Sequence, residues 1–165
     1  MDEMTASTRL EQLMRVHGDR LLRLCCVYLN DYALAQDAVQ ETFIKAYRHL
    51  DALRDPIAAP AWLTRIAINT CRSMRRSAWL RLVEPRESLP EAAQEMPEAD
   101  ALLSEIARLP VKYREVIILY YYQELSTHEA AQLLRIPEKT FSTRLMRART
   151  RLRTLLERSE SFEHP

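Results

Sequence analysis

Apolar residues recur with the period of an α-helix through most of this 165-residue chain. In the first third, a capping box made by Thr8 and Glu11 predicts a helix that begins there and ends near Asn30 and Asp31. A second helix is predicted to follow Asp31. Its apolar face comprises Ala35, Ala38, Val39, Phe43, Ala46, Tyr47 and Leu50. The charged and amide side chains on or near its other face are free to bind a partner.

A third helix is predicted after a short loop bracketed by Pro56 and Pro60, and it runs from about Ala61 to Leu80. Four polar positions spaced at i, i+4, i+7 and i+11 share one of its faces. These are Arg65, Asn69, Arg72 and Arg76. A face of arginines with one asparagine can hold phosphates while the amide reads a base.

Trp62 lies one turn before Arg65, near the proline loop. Its indole could contact an unstacked base. It could equally anchor the third helix in the hydrophobic core. The residues by themselves leave both interpretations open.

The segment from 83 to 99 interrupts the helical pattern. It contains Pro85, Pro90 and Pro97, many acidic residues and few large apolar ones, so it cannot bury enough surface to offset the entropy of ordering. We therefore predict a flexible acidic linker at 83–99, between a domain at 1–82 and a second at 100–165. The helical period resumes in the second domain, where Pro110 opens a helix.

A helix-turn-helix pattern is predicted in the second domain. Ser126 and Glu129 form another capping box, residues 135–137 break the helical pattern, and a basic helix begins near Glu138. Its N-terminal part exposes Lys139, Ser142, Thr143, Met146 and Arg147, which could touch base edges. Phosphates are within reach of Arg144, Arg149, Arg151 and Arg153.

Two observations leave the DNA-binding interpretation of this segment open. Arginine-rich helices are most often only solvated faces, and helix pairs joined by a turn occur in many bundles that never meet DNA. The turn of such motifs often contains glycine. Here Arg135 stands in that place, so the turn must close without a residue that favours positive φ.

Composition narrows the fold and the function. A single glycine in the chain argues against hairpins and favours an all-α fold. Three cysteines without CxxC spacing and four scattered histidines indicate no disulfide framework and no metal site, and a phosphate-binding glycine loop is impossible. We therefore expect a protein that is not an enzyme, with no cofactor.

No apolar run reaches the ~20 residues of a membrane span, and the N-terminus is unlike a signal peptide, so we expect a cytoplasmic protein without membrane insertion.

Three segments carry a resemblance to one family. Residues 37–47 (DAVQETFIKAY), 62–69 (WLTRIAIN) and 109–116 (LPVKYREV), the last followed by 125–152, resemble in order and spacing the conserved regions of extracytoplasmic-function sigma factors, of the sigma-70 family. The resemblance covers nearly the whole chain outside the tails and the linker. It implies two helical domains, with promoter recognition and transcription initiation as the function.

The resemblance also implies partners. These are core RNA polymerase, through its β′ clamp and β flap, promoter DNA and an anti-sigma factor, with no small-molecule substrate. The regulon implied is one for stress or envelope responses.

Residue roles follow from the resemblance position by position. Polymerase docking is implied for Asp37, Gln40, Glu41 and Lys45. Contact with the minus-ten element is implied for Trp62, Arg65, Asn69, Arg72 and Arg76. Among these residues, Asn69 is the one implied to contact an exposed base. Contact with the minus-thirty-five element is implied for Lys139, Ser142, Thr143, Arg144, Met146 and Arg147. The chain departs from the family where residues 58–61 lack an aromatic side chain and where Ser142 replaces a common basic residue.

Two other functions remain compatible with the residues. A helix-turn-helix repressor or activator predicts a two-fold symmetric operator and DNA binding without polymerase, but it gives the arginine and asparagine face no role. A scaffold of two helical bundles predicts no affinity for DNA.

Overall fold

The computed structural model describes the backbone of residues 2–81, 101–122 and 125–163, and the side chains of these residues except 77–81, 101 and 159–163. Within these ranges all regular elements are helical, which confirms the all-α prediction. The described residues form two compact units, one before residue 82 and one after residue 100. The linker predicted at 83–99 lies outside the described residues.

The described part of the N-terminal unit forms three long helices. They are α1 (Glu3–Leu29), α2 (Tyr32–Arg48) and α3 (Ala59–Arg81). Two short 3₁₀ turns, Leu50–Ala52 and Pro56–Ala58, connect α2 to α3. The junction between α1 and α2 is formed as predicted, because Asn30 adopts the left-handed conformation and the Asp31 carboxylate accepts a hydrogen bond from the Leu34 amide at 3.0 Å.

The predicted start of the first helix was wrong. Helix α1 begins at Glu3, five residues before the expected capping box. The Thr8 hydroxyl does not cap a helix but donates to the Met4 carbonyl at 2.9 Å inside it. Threonine can make this bond to the preceding turn without ending the helix.

The core of the N-terminal unit forms where α1 packs against both α2 and α3. Fully buried side chains come from one stripe of each helix. They include Leu21, Leu24, Cys25, Tyr28, Ala35, Ala38, Phe43, Leu63, Ala67, Ile68 and Cys71. Three alanines of α2, at 35, 38 and 46, are completely buried and allow close approach of the helices. Tyr47 differs from the prediction, because it lies at the edge of this stripe with 39% of its surface exposed.

Four helices are described in the C-terminal unit. They are α4 (Ala101–Arg108), α5 (Val111–Tyr121), α6 (Thr127–Leu134) and α7 (Glu138–Glu163). Between α4 and α5, the buried guanidinium of Arg114 donates to the carbonyls of Ala107 and Leu109 at 3.2 and 3.4 Å. These carbonyls lie at the end of α4, where a helix has no partners of its own for them. Arg114 therefore closes the corner between the two helices from inside the core.

The predicted helix-turn-helix is formed by α6 and α7. The Glu129 amide donates to the Ser126 hydroxyl at 3.1 Å, which confirms the predicted cap of α6. Helix α7 packs on α5 and α6 through Phe141, Leu145 and Ala148, all buried. These positions are three and four residues apart, so the opposite side of α7 faces solvent.

Candidate nucleic-acid interfaces and docking face

Helix α3 presents the predicted polar face to solvent. Arg65, Asn69 and Arg76 are exposed and Arg72 is half-buried, while Leu63 and Ala67 on the other side are buried in the core. The core therefore fixes the rotation of α3 about its axis. We name Arg65, Asn69, Arg72 and Arg76 the α3 polar face.

Trp62 is half-buried at the start of α3. Part of the indole is therefore packed and part is accessible. The structure is compatible with both interpretations left open by the sequence, since one edge of the ring can anchor the helix while the other remains available for a ligand.

The loop before α3 exposes an apolar side chain that sequence reasoning missed. Ile57 has 86% of its surface exposed. Its backbone is nevertheless held, because the Ile57 amide donates to the Asp55 carboxylate at 3.0 Å and Pro56 opens the 3₁₀ turn. An isoleucine placed directly after Asp-Pro in a polar turn was the available sequence signal.

The exposed side of α2 carries more than the predicted charges. Asp37 and Gln40 are exposed and Glu41 is half-buried. Ile44 lies three residues after Glu41, and Tyr47 lies three residues after Ile44. Both are also exposed, at 40% and 39%. We name these five residues the α2 docking face. It has an apolar part that the sequence analysis did not assign to it.

Lys45 follows Glu41 by one turn of α2 and contacts α3. Its ammonium group donates to the Thr70 hydroxyl of α3 at 3.0 Å, in a half-buried position. The same hydroxyl donates to the Ile66 carbonyl at 2.8 Å. Lys45 therefore ties α2 to α3.

Helix α7 presents its N-terminal half to solvent as predicted. Lys139, Ser142, Met146 and Arg147 are exposed, and Thr143 and Arg144 are half-buried. Among the described side chains of this helix, Met146 is the most exposed large apolar one, at 61%. We name these six residues the α7 polar face.

Two arginines of α7 are engaged by tyrosines of α5. The Arg151 guanidinium lies 4.7 Å from the centre of the Tyr113 ring. Arg149 lies 5.1 Å from the Tyr120 ring and donates from Nε to the Tyr121 hydroxyl at 2.8 Å. This hydrogen bond raises the pKa of Arg149. The sequence analysis had placed both arginines within reach of phosphates.

The turn between α6 and α7 closes without glycine. Arg135 adopts the left-handed conformation, with φ 57° and ψ 43°. The Arg135 amide donates to the Gln132 carbonyl at 3.2 Å, and the Ile136 amide donates to the Ala131 carbonyl at 3.1 Å. These two bonds define a Schellman motif, in which glycine is the usual left-handed residue. The motif forms here despite the steric cost of the arginine Cβ.

The C-terminal unit also contains an apolar groove of about 490 Å³. It lies among α4, α5 and the C-terminal half of α7. Its lining comprises Leu102, Ile106, Ile117, Tyr121, Tyr122, Arg149, Leu152, Arg153, Leu156 and Glu157. The groove is on a different part of the unit from the α7 polar face.

The three cysteines are buried and free. A hydrogen bond with Cys71 and burial raise the pKa of Cys25 well above its usual value. Within the described ranges, no group of three or more His, Cys, Asp or Glu side chains could hold a metal ion. None of the described helices combines the length and the apolar character needed to cross a membrane.

Comparison with known families assigns both units. Residues 13–81 match the family Sigma-70 region 2, and residues 99–152 match Sigma-70, region 4. The first match includes α2 and α3, and the second includes α4 to α6 with the first half of α7.

Curated sigma factors are similar in sequence to this chain over most of its length. The RNA polymerase sigma-E factor of Streptomyces avermitilis is 35% identical over 152 residues, which cover 89% of this chain and 84% of the relative. The ECF RNA polymerase sigma factor SigM of Bacillus subtilis is 28% identical over 162 residues, which cover 93% of this chain and 99% of the relative.

Solved structures show the same fold. The sigma factor RpoE of Bartonella quintana, crystallised with the anti-sigma factor NepR, is 25% identical with a TM-score of 0.60, covering 89% of this chain and 96% of that one. CnrH in complex with the cytosolic domain of CnrY is 29% identical with a TM-score of 0.54, covering 92% and 89%. This chain therefore belongs to the sigma-70 family of RNA polymerase sigma factors, in its extracytoplasmic-function group.

Proposed function

We propose that this protein binds core RNA polymerase, directs it to promoters through two separate DNA contacts and contributes no covalent chemistry of its own. One observation carries the proposal. Each of two matched sigma regions exposes a helix face that contains three basic residues, on α3 and on α7, directly opposite a stripe buried in the core. A subunit with this function acts in the bacterial cytoplasm, where polymerase and promoters are.

The α2 docking face is the proposed contact with the β′ clamp of the polymerase. Asp37, Gln40 and Glu41 supply polar contacts, and Ile44 and Tyr47 supply apolar area beside them. Protein interfaces typically combine a desolvated apolar centre with a polar rim. Lys45 supports this face, since its bond to Thr70 holds α2 against α3, and its remaining donors are available to a partner.

The α3 polar face is the proposed reader of the minus-ten element. Arginines at 65, 72 and 76 neutralise phosphates, while the Asn69 amide offers a donor and an acceptor to a base edge. Trp62 and the exposed Ile57 lie at the start of the same helix and can pack against an unpaired base. Together these groups would stabilise the separated strand of the promoter.

The α7 polar face is the proposed reader of the minus-thirty-five element. Its residues occupy the N-terminal half of the second helix of a helix-turn-helix, the part that reaches base edges in the major groove. Lys139 and Arg147 are exposed cations that can contact phosphates or guanine, and Met146 offers an apolar contact to a thymine methyl group. Ser142 and Thr143 add hydroxyls that suit either base pair.

Dividing recognition between two units gives each a weak affinity for DNA alone. When polymerase holds both units, the second contact becomes intramolecular and the combined affinity rises.

We assign the apolar groove among α4, α5 and α7 to the β flap, since its lining offers aliphatic side chains to an apolar helix. The structural relative RpoE is crystallised with the anti-sigma factor NepR, and CnrH is in complex with the cytosolic domain of CnrY. We propose that an anti-sigma factor also controls this chain.

Run-off transcription with core polymerase, this protein and a library of promoter fragments tests the proposal. Asn69→Ala should weaken transcription or shift the preferred minus-ten sequence. Gln12→Ala is the matched control, because it removes an exposed amide from α1 of the same unit. Specific transcripts that require the protein, with a change for Asn69→Ala alone, support the function. Absence of polymerase binding, together with binding to palindromic DNA by the protein alone, would favour a repressor.

A further inference from the structure

Arg20 on α1 reaches the first turns of α3. Its Nη1 donates to the Thr64 hydroxyl at 2.8 Å, and its Nη2 donates to the Pro60 carbonyl at 3.1 Å. The Thr64 hydroxyl in turn donates to the same Pro60 carbonyl at 2.7 Å. The three groups therefore form a closed triangle of hydrogen bonds between two helices.

This triangle is partly shielded from water. Thr64 is 1% exposed. Arg20 is exposed overall, but partial burial lowers the pKa of its guanidinium from its usual value. A hydrogen bond from a charged donor in such a position is stronger than a neutral bond in water. Its loss would leave Thr64 without its arginine partner inside the core.

Pro60 and Thr64 lie in the first turns of α3, directly before the α3 polar face. Trp62 lies between them in the sequence, and Arg65 follows Thr64 directly. The loop before Pro60 holds the exposed Ile57. A small rotation or shift of this first turn would therefore redirect Trp62 and Arg65 before it affected the buried middle of the helix.

We propose that Arg20 is a positioning residue for promoter recognition, which fixes the start of α3 so that Trp62, Arg65 and Asn69 meet the minus-ten element in register. The role rests on the proposed function. Arg20 acts through Pro60 and Thr64 and makes no base contact of its own. Its contribution is to the discrimination between correct and incorrect minus-ten sequences.

The test compares Arg20→Met with Arg9→Met. Arg9 is a matched control, since it also lies on α1 and donates from Nη2 to a loop carbonyl, that of Leu53, at 3.1 Å. For each variant, one measures affinity for core polymerase, thermal stability and run-off transcription from a preferred promoter and from single-base minus-ten substitutions. Discrimination is the ratio of transcription from the preferred to the substituted promoter.

We expect Arg20→Met, which loses both hydrogen bonds, to lower this ratio roughly tenfold, while affinity for core polymerase changes less than about twofold. Arg9→Met should leave the ratio unchanged. Arg20→Lys keeps the charge but cannot form the two-pronged contact, so it should restore the ratio only in part. Thr64→Val removes the hydroxyl and serves as the second variant if Arg20→Met does not fold.

Three results would overturn the inference. An equal fall in transcription from every promoter, in step with lower thermal stability, would assign Arg20 a structural role alone. An unchanged ratio in both Arg20→Met and Thr64→Val would remove the positioning role. If the slope of log promoter affinity against log salt concentration changed by about one while the discrimination ratio stayed the same, Arg20 would be a phosphate contact. If wild-type protein gives no specific transcripts at all, the proposed function itself has failed.

Discussion

Arg149 and Tyr121 join the two longest helices of the C-terminal unit through a 2.8 Å hydrogen bond from the arginine Nε to the phenolic oxygen. The guanidinium also lies 5.5 Å from the centre of the Tyr121 ring. On the other side of α7, Arg151 stacks on Tyr113 at 4.7 Å. Two arginines that flank the buried stripe of α7 therefore hold this helix against α5.

This arrangement distinguishes arginines that pack on tyrosines from the exposed arginines that we propose bind DNA. Arg149→Met should lower the stability of the C-terminal unit by about 0.5–1 kcal/mol, the typical size of an exposed cation–π contact. It should leave the salt dependence of promoter binding unchanged. Arg147→Met is the matched change in the same helix. It should reduce the slope of log affinity against log salt concentration by about one while leaving stability unchanged.

Thermal unfolding and promoter affinity of the polymerase complex at several salt concentrations measure both quantities. If Arg149→Met reduced the salt dependence as much as Arg147→Met, Arg149 would contact phosphate despite its tyrosine partners.

The turn of the helix-turn-helix should become more stable when Arg135, which adopts the left-handed conformation, is replaced by glycine. Arg135→Gly removes the steric cost of a Cβ in this conformation, about 1–2 kcal/mol, against the larger entropy loss of glycine. We expect a net stabilisation of up to about 1 kcal/mol. Hydrogen exchange of the amides of α6 and α7 measures it.

A β-branched residue at the same position provides the opposite control. Arg135→Val should destabilise the turn, since valine is strained at positive φ. Equal exchange rates in the glycine and arginine proteins would mean that the Arg135 side chain makes a compensating contribution.

Gly18 is a second site where a single change should stabilise the protein. It lies within α1, and a Cβ added there would meet no atom within 4 Å. Gly18→Ala should raise the free energy of unfolding of the N-terminal unit by about 0.5–1 kcal/mol, since alanine loses less backbone entropy in a helix. Chemical denaturation followed by tryptophan fluorescence measures the change, and affinity for core polymerase should stay the same. A loss of affinity would show that a partner packs on this point of α1.

The buried thiol of Cys25 predicts a pH dependence. Its pKa is raised in the folded protein, so the unfolded chain releases this proton first as pH rises. The thiol therefore contributes stability that is complete below the ordinary cysteine pKa and is lost as pH rises toward the folded value. Above about pH 9, its share of the unfolding free energy should fall with a slope of about 1.4 kcal/mol per pH unit.

The difference between wild type and Cys25→Ala isolates this contribution from other groups that titrate at high pH. Urea denaturation between pH 7 and 10.5 measures it (a range chosen around the ordinary thiol pKa of about 8.5). Parallel pH profiles for the two proteins would contradict the prediction.

The apolar part of the α2 docking face should contribute to polymerase affinity. Tyr47→Ala removes an aromatic side chain of the kind that often dominates interface energetics, and we expect roughly a tenfold loss of affinity for core polymerase. Val16→Ala is the control, because Val16 is an exposed apolar residue of α1 outside this face. Fluorescence anisotropy with labelled protein measures both. If the two variants bound equally well, the docking face would not include Tyr47.

Local sequence patterns were enough to predict the helices of the described residues and most of their buried faces. Asp31 and Ser126 cap the helices that follow them, as their side chains predict, because capping depends on neighbours within four residues. The buried stripes of α2 and α7 follow from helical periodicity for the same reason. The start of α1 was missed since the Thr8 pattern is compatible with a helix interior as well as with a cap.

The packing of whole helices sets which polar side chains bond to another helix. Arg20 and Thr64 are 44 residues apart, Lys45 and Thr70 are 25 apart, and Arg149 and Tyr121 are 28 apart. No local pattern distinguishes these side chains from the exposed Arg65 or Arg147. Their partners are set by how whole helices pack, because a hydrogen bond requires its donor and acceptor within about 3 Å, and only the assembled core brings such distant positions that close.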